Sequence, residues 1–169
     1  GDTAFSEIVA KARELGYTEP DPRSDLDGMD VARKILILAR EAGFPLEIKD
    51  IKVKGLLNPQ LQKAKSIDDF FAKLKKEDAA FEKKRKEAEK KDRVLRFIAT
   101  LAKGKATVSL QAVGKEHPFY SLSGNDNVIA FTTKRYSTTP IVIKGPGAGA
   151  KVTAAGVFAD ILRIPSRVV

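Results

Sequence analysis

Cysteine and tryptophan are absent from this 169-residue chain, and methionine and histidine occur once each, as Met29 and His117. Without cysteine there are no disulfides, no zinc-thiolate sites and no thiol nucleophile, a composition compatible with a reducing compartment. No stretch approaches the roughly 20 consecutive apolar residues that a membrane-spanning helix needs. No basic, apolar and small-residue succession of a secretory signal opens the chain. Because its only methionine is at position 29, the chain is expected to begin inside a longer gene product. The 43% hydrophobic and 31% charged content fits one globular α+β domain with a real core. A formal charge of +9 raises the question of nucleic acid, most of all at Lys83-Lys84-Arg85-Lys86. Glu77, Asp78, Glu82, Glu87, Glu89 and Asp92 are mixed through that run and no aromatic interleaves it, which describes a solvated helix. Neither nucleic acid nor membrane is expected as a partner.

Helical spacing links Phe5, Ile8, Val9, Ala12 and Leu15, and Gly16 is placed to end that helix. A second helix begins near Met29 with Asp27 as its candidate cap, and Val31, Ile35, Leu38 and Ala42 form its apolar stripe, widened by Ala32, Leu36 and Ala39. Gly43 and Pro45 stop it. A short strand is expected over 46–53, then a loop at Asn58-Pro59, a helix opened by Ser66-Ile67-Asp68-Asp69, and a separate charged helix over 78–91. From Val94 the period changes to two: Leu95, Phe97, Ala99 and Leu101 alternate, as do Ala106, Val108, Leu110 and Ala112, with Lys103-Gly104 as a hairpin turn. Further strands are expected over 128–134 and 141–144, and a last helix over 152–162. Helices first and strands later predict a mostly antiparallel sheet with helices packed on one face.

Between the first two helices the chain is denser in chemistry than anywhere else. Pro20 and Pro22 stiffen a loop that carries Tyr17, Glu19, Asp21 and Asp25, and Asp30 precedes Lys34 by one helical turn, side by side on one face. Taken alone, such a pair four residues apart is usually a solvated ion pair, and Glu19 a surface loop residue. Gly145-Pro146-Gly147-Ala148-Gly149 follows the strand-like 141–144 and precedes the last helix, as a dinucleotide fingerprint would. With only residues 150–169 after it, neither a second parallel strand nor a ribose-binding acid can follow within this chain.

The run Ala12…Gly16-Tyr17-Thr18, Asp21-Pro22, Asp25-Leu26-x-Gly28-x-Asp30 and Lys34 resembles the signature of homoserine dehydrogenase, with every fixed position at its spacing. His117-Pro118-Phe119, Gly124-x-Asp126-Asn127, Lys134-Arg135-Tyr136, the glycine-rich run and Val152-Thr153-Ala154-Ala155-Gly156 continue the likeness. It is most like the dehydrogenase part of the bifunctional aspartokinase–homoserine dehydrogenases.

The resemblance implies an oxidoreductase that interconverts aspartate 4-semialdehyde and homoserine with NADP or NAD. Lys34 would be the proton donor beside Asp30, with Glu19, Asp30, Asp25 and Tyr17 binding substrate; for Tyr17 and Asp25, packing or capping the loop stays an open alternative. Gly147, Gly149 and Thr153 would border the cofactor. Gly147 and Gly149 could equally form a plain turn, and Thr153 a helix cap. His117 is read as structural. The resemblance further implies that 1–169 is a catalytic and dimerisation domain whose dinucleotide-binding domain lies upstream, toward which the 152–162 helix would pack. It implies a homodimer in the cytoplasm, or in the plastid if the source is a plant. A non-catalytic assembly or regulatory module is the competing expectation.

Overall fold

The structure, a computed structural model, describes residues 3–124, 126–147 and 149–164. Its mixed α+β architecture divides into two compact units, 1–114 and 115–169, where the sequence reads as one domain.

In the first unit, helix α1 (Phe5–Glu14) is followed by the single turn α2 (Arg23–Leu26), helix α3 (Met29–Glu41), a 3-10 turn (Ile48–Asp50), the two-residue strand β1 (Lys52–Val53), the short helix α4 (Pro59–Gln62), the long helix α5 (Ile67–Glu89) and strands β2 (Val94–Ala102) and β3 (Lys105–Val113). The sheet runs β1-β3-β2, β1 parallel to β3 and β2 antiparallel to it. Lys103 and Gly104 both take left-handed φ values, 49° and 73°, the pairing a tight hairpin turn demands. That turn sets Phe97 opposite Leu110, Ala99 opposite Val108 and Leu101 opposite Ala106, one apolar face as the alternation predicts.

Ala32 and Ile35 of α3 bury against Val108, Ala106 and Ile51 on that face, and the end of α5 approaches the same face at Ala88, so helices cover one side of this sheet. A second core lies among the helices: Val9, Leu61, Phe70 and Leu74 are buried together, with Phe5 stacked on Phe81 at 4.2 Å between ring centres. Burying a side chain the size of Phe70 or Leu74 stabilises by about 1.5–3 kcal/mol each. α1 lacks a side-chain cap of its own; Asp78 of α5 supplies one, accepting from the Ser6 amide at 2.8 Å and its hydroxyl at 2.6 Å. A carboxylate at a helix N-terminus also meets the positive end of the helix dipole.

Several expectations are corrected. The strand expected over 46–53 shrinks to Lys52–Val53, because Glu47 and Asp50 cap each other's amides reciprocally and wind the segment before it into a 3-10 turn. Asn58 is not in a plain loop: its side-chain Oδ1 accepts from the Gln60 and Leu61 amides and Pro59 takes the first helical position, giving α4. Ser66 opens α5 as expected, but the charged stretch is the same helix, held through its polar half by Arg85 between Glu82 and Glu89. Ala42 is exposed, since α3 ends at Glu41.

The second unit contains the hairpin β4 (Asp126–Phe131) and β5 (Ile141–Pro146), antiparallel with Ile129 opposite Ile143, and helix α6 (Ala150–Arg163). The expected single sheet is therefore two, and β4 ends at Phe131 rather than Lys134, β5 running on to Pro146. His117 half-buries in a turn where its Nδ1 accepts from the Phe119 amide at 3.1 Å, a structural use.

Candidate functional site

α1 ends as its glycine predicts. Gly16 has φ 72°, its amide donates to the Arg13 carbonyl at 3.0 Å, and the Tyr17 amide reaches back to the Ala12 carbonyl at 2.9 Å. The loop that leaves this cap is held by side chains rather than by burial: only Pro22 is fully buried between Tyr17 and Asp25. Asp25 Oδ2 accepts from the Glu19 amide at 3.0 Å, and Arg13 Nε donates to the Pro20 carbonyl at 3.0 Å. Arg23 grips Asp21 with its Nε and Nη2, which holds the Asp21 carboxyl below the usual carboxylate range and the guanidinium pKa above its own.

Asp27 is close to the role expected for it, displaced by one residue. Gly28, at φ 85°, is the residue flanking α3, and Asp27 Oδ1 accepts from the Met29 amide at 2.7 Å. Gly28 also packs where no side chain fits: a Cβ there would lie 2.8 Å from Phe97 Cζ, so the start of α3 is seated directly on β2. Two residues into the helix's first turn stands Asp30, and Lys34 Nζ lies 2.9 Å from its Oδ2. The lysine and aspartate side chains are 54% and 64% exposed, so by itself the pair stabilises the fold by only about 0.3–0.5 kcal/mol. What it offers is chemistry: an ammonium held open to solvent with a carboxylate keeping it oriented.

Glu19 and Pro20 border a shallow hollow of about 470 Å³ with Arg13, Glu14 and Thr18; Asp30, Lys34 and Tyr17 do not line it. Tyr17 is 79% exposed, and Asp25 acts on the loop's own amide, so capping is its observed use. Sequence reasoning missed Arg23 and Arg13 as organisers of this loop. The Asp21-Pro22-Arg23 spacing was the available signal, since an aspartate two residues before another residue's amide readily forms a turn.

Gly147, Gly149 and Thr153 belong to the second unit; Ala148 between them lies outside the described residues. A side chain at Gly147 would collide with the exposed Asn127 side chain as it stands, and Asn127 would have to turn aside to admit one. Gly149 has φ 128° with open space where a Cβ would stand, and it flanks an α6 N-terminus that has no side-chain cap. Thr153 is exposed, its amide donating to the Gly149 carbonyl. α6 leaves Val152, Val157, Phe158 and Ile161 exposed. Among the described residues no group of histidines and carboxylates could hold a metal ion, and no helix is long and apolar enough to cross a membrane.

Comparison with known proteins places the chain in a family. The family model for homoserine dehydrogenase matches residues 1–162. A bifunctional chloroplastic aspartokinase/homoserine dehydrogenase of Zea mays is 51% identical over 98% of this chain and 18% of its own length. The homoserine dehydrogenase of Schizosaccharomyces pombe is 48% identical over 99% of this chain and 46% of its length. A Candida auris crystal structure, of a protein described as of unknown function, superposes with a TM-score of 0.91 at 42% identity over 99% of this chain and 48% of that one. A putative homoserine dehydrogenase of Archaeoglobus fulgidus gives 0.71 at 27% identity, covering 96% of this chain and 43% of that one. The chain thus spans less than half of the length of these relatives. Matched by one family model along nearly its whole length, with the fold and the loop-and-helix motif to go with it, the chain belongs to the homoserine dehydrogenase family.

Proposed function

We propose that this chain is the substrate-binding and catalytic part of an enzyme interconverting L-aspartate 4-semialdehyde and L-homoserine. The observation that carries the proposal is the Lys34–Asp30 pair, presented at 2.9 Å on the exposed face of α3 immediately after the tethered loop that bears Glu19. Reducing an aldehyde to an alcohol puts negative charge on its oxygen, and that oxygen needs a hydrogen-bond donor and then a proton. The Lys34 ammonium provides both, and the neutral amine regains its proton from solvent. Asp30 orients Lys34 and accepts from the substrate hydroxyl. Glu19, exposed on its loop, is the partner for the substrate's ammonium. Tyr17 and Asp25 complete the substrate side, Asp25 by holding the Glu19 backbone.

A nicotinamide cofactor, NADP or NAD, supplies or takes up the hydride when bound. Gly149, Gly147 and Thr153 are the residues proposed to border it, supported by the open space at Gly149 and the uncapped start of α6. A strand pair followed by one helix is too little to enclose a dinucleotide, so the main cofactor domain is proposed to precede this chain in the complete protein. The exposed apolar side chains of α6 support a covering partner such as that domain, and those of β5, among them Ile141 and Ile143, support a homodimer. The proposed compartment is the cytoplasm, or the plastid in a plant source.

The test is Lys34→Ala in a complete homoserine dehydrogenase containing this sequence. Turnover should fall by about 10²–10⁴-fold with a smaller change in KM, whereas Glu19→Gln should act mainly on KM. Near-normal turnover with only a raised KM in Lys34→Ala would reduce the lysine to a binding residue.

A further inference from the structure

The Glu19 loop has little packing of its own: Tyr17, Glu19, Pro20, Ser24 and Asp25 are all exposed. Its ends are fixed, by the Gly16 cap on one side and by the Leu56 amide donating to the Leu26 carbonyl on the other. Between them one side chain ties the loop to a distant element. Arg23 Nε donates to both oxygens of Asp21, at 2.9 and 3.0 Å, and Nη2 adds a further bond to Asp21 Oδ2. Nη1 turns the other way and donates to the Ala64 carbonyl at 2.7 Å, with Gln62 at 3.5 Å, at the junction of α4 and α5. Asp69, in the first turn of α5, adds a favourable charge. The arginine side chain is only 25% exposed. Every guanidinium nitrogen is engaged, a fork that a lysine point charge does not reproduce.

We infer that Arg23 is a positioning residue for substrate binding: by clamping Asp21 to the Ala64 carbonyl it holds the loop so that Glu19 meets the substrate's ammonium. The inference rests on the reading of Glu19 given above. It assigns Arg23 an effect on affinity and not on the chemical step, because Lys34 and Asp30 stand on α3, whose seat on the sheet through Gly28, Ala32 and Ile35 does not involve the loop. With the clamp gone the loop keeps its two ends and the Asp25–Glu19 and Arg13–Pro20 bonds but loses its tie to α4 and α5. The loop then shifts as a unit, Glu19 samples more orientations, and part of the binding energy goes into ordering it.

Steady-state kinetics with homoserine in a complete homoserine dehydrogenase containing this sequence provide the test, using Arg23→Met, Arg23→Lys and the isosteric Asp21→Asn. KM for homoserine should rise by about 10-fold or more in Arg23→Met while kcat stays within about threefold, and Arg23→Lys should restore only part of the loss. Because Arg23 acts through Glu19, the double variant Arg23→Met/Glu19→Gln should bind no worse than Glu19→Gln alone. Independent, multiplying losses in the double variant would make Arg23 a general stabiliser and overturn the inference. So would an unchanged KM in Arg23→Met when Glu19→Gln is impaired. A normal KM in Glu19→Gln itself would sink the reading of Glu19, and the inference with it. Should Arg23→Met fail to fold, Asp21→Asn carries the same expectations for KM and for the double variant.

Discussion

Replacing Gly28 by alanine tests how tightly helix α3 is seated. Two costs add at this position. The backbone sits at φ 85°, a left-handed conformation that costs a residue with a Cβ about 1–2 kcal/mol. The added methyl would stand 2.8 Å from Phe97 Cζ and 3.1 Å from Val53 Cγ1, contacts that force the aromatic ring or the helix start to move, at about 1–3 kcal/mol for overpacking of this size. The total is about 2–5 kcal/mol. Gly16→Ala is the matched control, with φ 72° and nothing within 4 Å of the new methyl, so only the conformational cost applies. With urea slopes of about 1–3 kcal/mol per molar for a chain of this size, the overpacking cost alone should separate the two variants by about 0.3–3 M in unfolding midpoint, followed by helical circular dichroism. Equal losses for the two would refute the view that α3 begins in direct contact with β2. In a complete enzyme the same substitution should also lower turnover, because a displaced first turn moves Asp30 and Lys34.

Carboxylates paired with cations give a second expectation: Arg85 pushes the Glu82 pKa down to about 2, and the pKa values of Asp69 and Asp21 are lowered by Lys73 and Arg23. A carboxyl depressed in the folded state stabilises fully above its unfolded value and loses that contribution as pH falls through the folded one, so Glu82 should cost stability between about pH 4.5 and pH 2. Urea titrations across that range should show the loss, weaker at high salt, and Glu82→Gln should flatten part of it; an unaltered acid slope would dissociate the pair from stability. Ser66→Ala removes the oxygen that accepts from the Asp69 amide at 3.1 Å and should cost about 0.5–2 kcal/mol, read by thermal unfolding. Purified alone, the 169-residue chain should be folded yet oxidise no homoserine with either nicotinamide cofactor. Turnover above background that Lys34→Ala abolishes would show that this chain suffices. Sedimentation of the same sample should reveal self-association; a monomer at high concentration would count against the homodimer.

Elements bounded by residues with a single conformational use were the legible ones. Gly16 and Gly43 stop helices at left-handed positions, and Lys103-Gly104 closes a hairpin whose alternating faces follow without further information. The 3-10 turn and α4 were hidden because their causes are reciprocal side-chain caps, Glu47 with Asp50 and Asn58 with two amides, set within sequences that also suit strand or loop. α5 looked like two helices because apolar periodicity fades along its second half, where charge pairs four residues apart replace it. In the candidate site the polar residue types and their spacing were readable from Tyr17 to Lys34. The clamp of Arg23 was not, since its far partner is the backbone carbonyl of Ala64, 41 residues on, and carbonyls leave no mark in a sequence.

In the proton-donating role proposed for Lys34, the openness of its pair with Asp30 sets how strongly the ammonium would act on a substrate. Two unit charges 4 Å apart interact by about 1 kcal/mol in bulk water but about 4 kcal/mol where the effective dielectric constant has dropped to 20. With both side chains more than half exposed, the ammonium sits near the weak end of that scale. Anything that displaces water from the start of α3, a substrate or a neighbouring domain closing over it, strengthens the field on a reacting oxygen without moving an atom of the helix. Under that proposal potency would depend on how well the pair is covered, and residues that only exclude solvent from it should register in turnover even though they never touch the substrate.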